Sequence, residues 1–270
     1  MRAHTRFIAV AAALALGAAA ARVDAQRGGG PGGPPAGPAR TVAPIDLTGY
    51  WVSIVSMDWR WRMVTPAKGD YSGIPMNQAS KTVADAWDPA KDEAAGEQCK
   101  SYGAPAIMSV PGRLHITWQD DTTLKVETDA GQQTRLLAFG PVPPVKPPRS
   151  WQGMSAAQWQ MSSPGLPLML RPQERAADVP APAAVRGGTL KVTTTNLRAG
   201  YLRKNGVPYS ADAVLTEYWD VTKSGNDTLL TVTTIVDDPT YLRTRRLIAY
   251  PFKKEANGDK WDPTPCSARW

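Results

Sequence analysis

The sequence predicts a mainly β chain: a single antiparallel, closed or nearly closed β-barrel with one or two short helices and a long Pro-rich loop. Three observations point there. From Ile107 onward apolar residues recur at every second position, the period of a strand with one buried face. Turn-forming residues separate the alternating runs at short spacings, as hairpins require. Eight or more one-faced strands must hide their edges in a sandwich or a closed barrel, and their meander order favours the barrel.

The elements follow in chain order. Residues 1–25 read as a secretory signal: Arg2 and Arg6, then an apolar run from Phe7 to Ala21, then small residues up to Ala25. That run is shorter than the roughly 20 residues a membrane span needs. Cleavage near Ala25 would leave a periplasmic or secreted protein; a retained N-terminal anchor is the alternative. Residues 26–44 are rich in Gly and Pro and read as a tether without secondary structure. The single barrel domain spans 45–270, and no later stretch is apolar enough to cross a membrane. A monomer is the expected state.

Asp46 to Val55 opens the domain as a strand. Met57 to Met63 reads as another, with Trp59 and Trp61 on one face and Arg60 and Arg62 on the other. Residues 78–88 form the first helical stretch, and Asp88-Pro89 caps a second short helix that Gly96 ends. Leu114, Ile116 and Trp118 alternate with polar residues, Asp120-Asp121 turns the chain, and Leu124 and Val126 continue the pattern. Asp129-Ala130-Gly131 turns it again before the strand Thr134 to Phe139. Gly140 to Gly188 is too rich in proline for regular strands over most of its length. A short helix, Ser155 to Gln160, is expected inside it, and Ser163 to Gly188 is either a lid over a cavity mouth or a disordered insert. Strands follow at Leu190–Thr195, Ala213–Val221, Leu229–Val236 and Leu242–Lys253, with an Asn205-Gly206 turn between Tyr201 and Tyr209.

Composition narrows the function classes. The formal net charge of +7 falls by two, to +5, if Arg2, Arg6, Arg22 and Asp24 leave with the signal. The charges are dispersed, and the one dense basic run is Arg243 to Arg246, so no nucleic-acid partner is expected. Phosphate loops, dinucleotide fingerprints and zinc knuckles are missing from the sequence, and no cofactor or metal is implied. Cys99 and Cys266 can pair in an oxidising compartment without leaving a spare thiol, or can stay as two buried thiols; export favours pairing.

His115 is the only histidine after the leader. On the polar face of its strand it is a solvated sheet residue. If that face lines the barrel, it is the best general acid/base in the chain. Gly153-Met154-Ser155-Ala156-Ala157 half resembles a nucleophile elbow but lacks the preceding strand. Glu217 alternates with Leu215, Trp219 and Val221 on an apolar face, where a lone carboxylate is costly. It either meets Arg203 or Arg246 or is kept protonated for catalysis. With 10 Trp and 8 Tyr against 3 Phe, the chain favours rings that carry a polar tip. Trp59, Trp61, Trp118, Tyr209 and Trp219 are the candidates for a ligand-binding wall.

Gly49-x-Trp51 on the first strand resembles the lipocalin (calycin) signature, in which the Trp plugs the closed end of a barrel and an Arg near the last strand packs across it. That resemblance implies a buried Trp51, with Arg243, Arg245 or Arg246 near it and any site at the opposite end. Other pieces resemble a large, mostly uncharacterised family of exported bacterial proteins: Cys99-x3-Gly103-x-Pro105-x2-Met108, Gly188 to Val192, Asn205 to Ser210, Leu215 to Tyr218, and Asp237-Asp238-Pro239. This second resemblance implies one domain and a Cys99–Cys266 bridge, with no assigned reaction. The expected function is binding of a small apolar or aromatic ligand. The alternatives are a non-hydrolytic acid/base enzyme (isomerase, cyclase, hydratase or lyase) using His115 or Glu217, and an envelope interaction module.

Overall fold

A computed structural model describes residues 37–141, 146–161 and 187–269. The leader, the tether up to residue 36 and most of the Pro-rich excursion lie outside the described residues.

The chain makes β1 (Gly49–Ser53), four short helices, and then a run of strands. The helices are α1 (Trp59–Arg62), α2 (Gln78–Asp85), α3 (Pro89–Ala94) and α4 (Ala104–Ile107), with a 3-10 turn at Gln98–Tyr102. The strands are β2 (Arg113–Trp118), β3 (Thr123–Thr128), β4 (Thr134–Phe139), β5 (Met154–Met161), β6 (Gly188–Thr195), β7 (Gly200–Arg203), β8 (Val207–Tyr209), β9 (Val214–Ser224), β10 (Asp227–Asp237) and β11 (Arg246–Glu255). Nine of them close a barrel in the order β1-β11-β10-β9-β6-β5-β4-β3-β2, and β7 and β8 form a separate hairpin. Directions cannot alternate all the way round an odd number of strands, so one neighbouring pair must run parallel. That pair is β4–β5.

Two local readings change. Met57 to Met63 is not a strand: β1's pairing is over by Ile54, Asp58 takes a left-handed φ of 54°, and the Trp-Arg-Trp-Arg segment coils into α1. Ser155 to Gln160 is not a helix but the middle of β5, which pairs with β6 over its whole length. Its alanines favour helix locally, but Ser155, Ala157 and Trp159 face the interior while Gln158 and Gln160 stay outside. The helix readings at 78–88 and from Pro89 hold. Asn77 and Asp88 cap α2 and α3 by accepting from the backbone of Ser80 and Ala90.

Strand directions sort the loops to two ends. One end carries the start of β1, the β2–β3 turn, the ends of β4 and β5, the start of β6 and the β9–β10 hairpin. Residues 37–47 lie across it: Arg40 N donates to Asp121 O, and Leu47 is buried. All four helices and the β7–β8 hairpin are at the other end. There Tyr102, Ile107, Met108 and Val110 join the barrel core, while a second apolar cluster forms under α2 and β8. At the hairpin turn Gly206 has φ +81°, and a Cβ there would meet Trp87 at 2.2 Å, so the tight turn needs glycine. Cys99 and Cys266 are bonded at 2.04 Å and tie the chain's tail to the helical end.

Between the ends the interior is filled with side chains. Trp51, Ile116, Leu124, Val126, Leu137, Leu190, Val192, Trp219, Leu230 and Val232 are all fully buried, which makes the barrel's middle a packed core. Trp51 Nε1 donates to Leu47 O at 2.9 Å. The last-strand cation over its ring is not one of the three candidate arginines but Lys254, with Nζ 5.3 Å from the centroid. Lys254 is paired with Trp51 across β1 and β11, so the register places it there. Arg246 begins β11 and Arg243 and Arg245 precede it, at the far end of that strand from Lys254.

Candidate functional site

The predicted catalytic pair is not brought together. His115 is on the outer face of β2, stacked on Tyr50 at 4.2 Å with planes 5° apart, with Trp261 edge-on at 6.0 Å. Its Nδ1 is 3.4 Å from Glu127 Oε2. Glu217 is inside the barrel and fully buried. Its partner is neither Arg203 nor Arg246 but Arg135 on β4, whose Nη1 and Nη2 donate to the two carboxylate oxygens at 3.0 and 2.5 Å. Thr194 Oγ1 accepts from Arg135 and shares a hydrogen bond with Ser155 Oγ. A bidentate guanidinium occupies both oxygens of Glu217, so the residue is a charge partner first. Ser155, from the half-matched elbow motif, belongs to the same network, with His115 on the opposite side of the barrel wall.

The five aromatic candidates occupy several places. Trp59 is 63% exposed on α1. Trp61 donates Nε1 to Asp70 Oδ2 and lies between the guanidiniums of Arg60 and Arg203, at 4.7 and 4.8 Å. Those donors from Trp61 and Arg60 hold the Asp70 carboxyl down at about 2. Tyr209 is buried on β8, and its hydroxyl lies where a Cβ on Gly103 or Gly200 would clash. Burial pushes that phenol well above its usual range. Trp219 is fully buried in the core. Trp118 is half-buried at the end crossed by residues 37–47, its ring 5.7 Å from Phe139.

Two features remain as candidate sites, one at each end. At the Trp118 end an apolar cup of about 300 Å³ opens beside β4 and β5, walled by Pro38, Val42, Phe139, Ala157 and Trp159. Trp159 Nε1 donates to Ala39 O at 2.8 Å, which satisfies its polar tip and leaves the ring face to the cup.

At the helical end Arg62 of α1 and Arg203 of β7 line two cavities of about 20 Å³ each, and Arg246 of β11 lines one of them. Arg203 is pushed down to about 10 by burial and by Arg246 beside it. Burial likewise lowers Arg62, against the pull of Tyr250 and Asp58, and takes Lys204 down to about 7. Lys204 donates to Tyr102 Oη at 2.6 Å. This cluster was missed in the sequence, where Arg203 was weighed as a partner for Glu217, and Arg246 as that or as the arginine packed across Trp51. The available signal was Arg203-Lys204 held between Leu202 and Val207 next to an Asn-Gly turn, two cations in a segment otherwise built to be buried.

No family model, curated protein or solved structure matches this chain significantly. The closed nine-strand barrel is compatible with a calycin-like fold. No helix among the described residues is long and apolar enough to cross a membrane.

Proposed function

We propose that this barrel is an exported binding module for a small ligand with an apolar or aromatic body, seated in the cup beside Trp159. The single observation that carries this reading is the cup itself, about 300 Å³ with apolar walls. That volume lies at the lower bound of ordinary small-molecule sites, which are mostly apolar with few polar groups. Trp159 and Phe139, 5.3 Å apart, offer ring surface to a planar ligand. A lipocalin relationship supports the reading through Gly49-x-Trp51, the buried Trp51 and the cation on its ring. It departs from that family's pattern in having the cup at the same end as Trp51 rather than opposite it. Binding is favoured over acid/base catalysis because the buried carboxylate is engaged by Arg135 and the histidine is outside.

The test is a titration with a neutral naphthyl fluorophore, followed by native mass spectrometry of protein purified from its own host. Saturable one-to-one binding is expected, and Ala157→Phe, which fills the cup, should weaken it at least tenfold. Failure of the wild type to bind, or equal binding by the variant, would overturn the assignment to this cup.

A further inference from the structure

The arginines at the helical end differ from Arg135, which is buried against Glu217. Arg62, Arg203 and Arg246 are 4%, 7% and 6% exposed, and none forms an ion pair among the described residues. Arg62 uses Nε to donate to Ser109 O at 2.8 Å, but its Nη1 and Nη2 have no hydrogen-bond partner. Arg246 reaches Tyr250 Oη only at 3.4 Å from each Nη, and its Nε has no partner. Arg203 donates to the carbonyls of Asp70 and Ser72. The nearby carboxylates do not neutralise the group. Asp70 is held by Arg60 and Trp61, and Asp58 borders one cavity without closing to ion-pair distance. Three guanidiniums therefore face one unpaired carboxylate.

A guanidinium stays protonated even when burial lowers its affinity for the proton, so these charges cannot be shed near neutral pH. Buried charge without a partner costs several kcal/mol per ion, and three aggregated like charges add repulsion. Water satisfies hydrogen bonds but not the charge. The missing component is an anion, and the space limits its size. The two cavities share Trp61, Arg62, Ser109, Leu202 and Arg203 in their walls, so both lie against the Arg62 and Arg203 guanidiniums. Each, at about 20 Å³, is large enough for one water-sized group. Two oxygen-sized spaces against the same forked donors match a carboxylate. A tetrahedral oxyanion has four oxygens to place, and a halide would leave one space unfilled.

We propose that Arg62, Arg203 and Arg246 form a carboxylate-binding site between α1, β7 and β11, its two cavities taking the two oxygens of a small carboxylic acid or of a carboxylate group on a larger ligand. The site is separate from the apolar cup at the opposite end and does not depend on the reading given for that cup. Arg135 and Glu217, inside the same barrel, show the arrangement that the three arginines lack.

The experiment is calorimetric titration of the protein from its own host with acetate, benzoate, phosphate and chloride, each as the only added anion at fixed ionic strength. Acetate or benzoate should bind saturably and raise the thermal midpoint, with phosphate and chloride at least tenfold weaker. Arg62→Gln should weaken carboxylate binding at least tenfold, and Arg62→Lys, which keeps charge but loses the fork, should weaken it nearly as much. In anion-free buffer Arg62→Gln should be no less stable than wild type, since it relieves repulsion; a purely structural Arg62 would give the opposite sign. Equal binding of all four anions, no carboxylate binding, or unchanged binding in both variants would overturn the proposal. If the variants fail to fold, the carboxylate-over-phosphate ratio of the wild type decides it.

Discussion

Inside one barrel, two regions bury arginine to a similar degree and treat it differently. Inside the barrel wall, Arg135 is 1% exposed and meets a fully buried carboxylate, with Thr194 and Ser155 closing the network. At the helical end three arginines converge with no ion pair among the described residues, and Arg62 and Arg246 keep unmatched donors. The first arrangement pairs its charge internally and supports the fold, although Arg135 Nε keeps no partner. The second is incomplete as a piece of structure, and incompleteness of that kind is what a recognition site looks like before its ligand arrives. Burial alone thus says nothing of role; the partner list separates a strut from a receptor.

The comparison can be broken most severely at its paired half. Glu217→Leu strands the Arg135 charge in the core and should cost about 3–5 kcal/mol, whereas Arg135→Met with Glu217→Leu should recover most of that loss. Denaturant midpoints measure both. A double variant as unstable as the single would show that the pair has no independent balance and that the two regions are not as distinct as their contacts say.

A smaller effect sharpens the other half. Lys204 borders the cationic space, and burial brings its pKa from 10.5 down to about 7. Its folded value lies below its unfolded value, so between pH 7 and 10.5 the unfolded chain binds the extra proton. Stability should therefore rise with pH across that window and be lost again as pH falls toward 7, by on the order of 3 kcal/mol in total. Lys204→Met should remove the slope. A slope that survives the substitution would assign it elsewhere. The smallest effect expected is that of Trp59→Ala, within about 0.5 kcal/mol in a thermal melt, because the ring is on the surface. A loss of carboxylate binding in Trp59→Ala would extend the cationic site outward over α1.

What was legible in the sequence was whatever neighbours in the chain decide. The period-two run Leu114, Ile116, Trp118, the Asp120-Asp121 turn, the Asn205-Gly206 turn and the cap at Asp88 all sit within a few residues of their cause. What stayed hidden depended on distant partners. Glu217 finds Arg135 across 82 residues, a pairing set by β6 lying between β5 and β9 in the barrel wall. β5 looked helical because its alanines prefer helix, until eight residues of β6 lay alongside it. The parallel β4–β5 pair follows from an odd strand count, and the count emerges only when the barrel closes. The cationic site draws one arginine each from α1, β7 and β11, so no short motif could carry it.

The bond between Cys99 and Cys266 has a mechanical consequence. It spans 167 residues, and strands β2 to β11 all lie within that span. Tension applied between the two chain termini would pass through β1 and the helices up to Cys99, cross the sulfur bridge, and leave through the last few residues. The rest of the barrel wall would hang slack inside a covalent ring. In the oxidised protein β1 is thus the only strand among the described residues that a pull can strip away, and reduction would put those strands back in series.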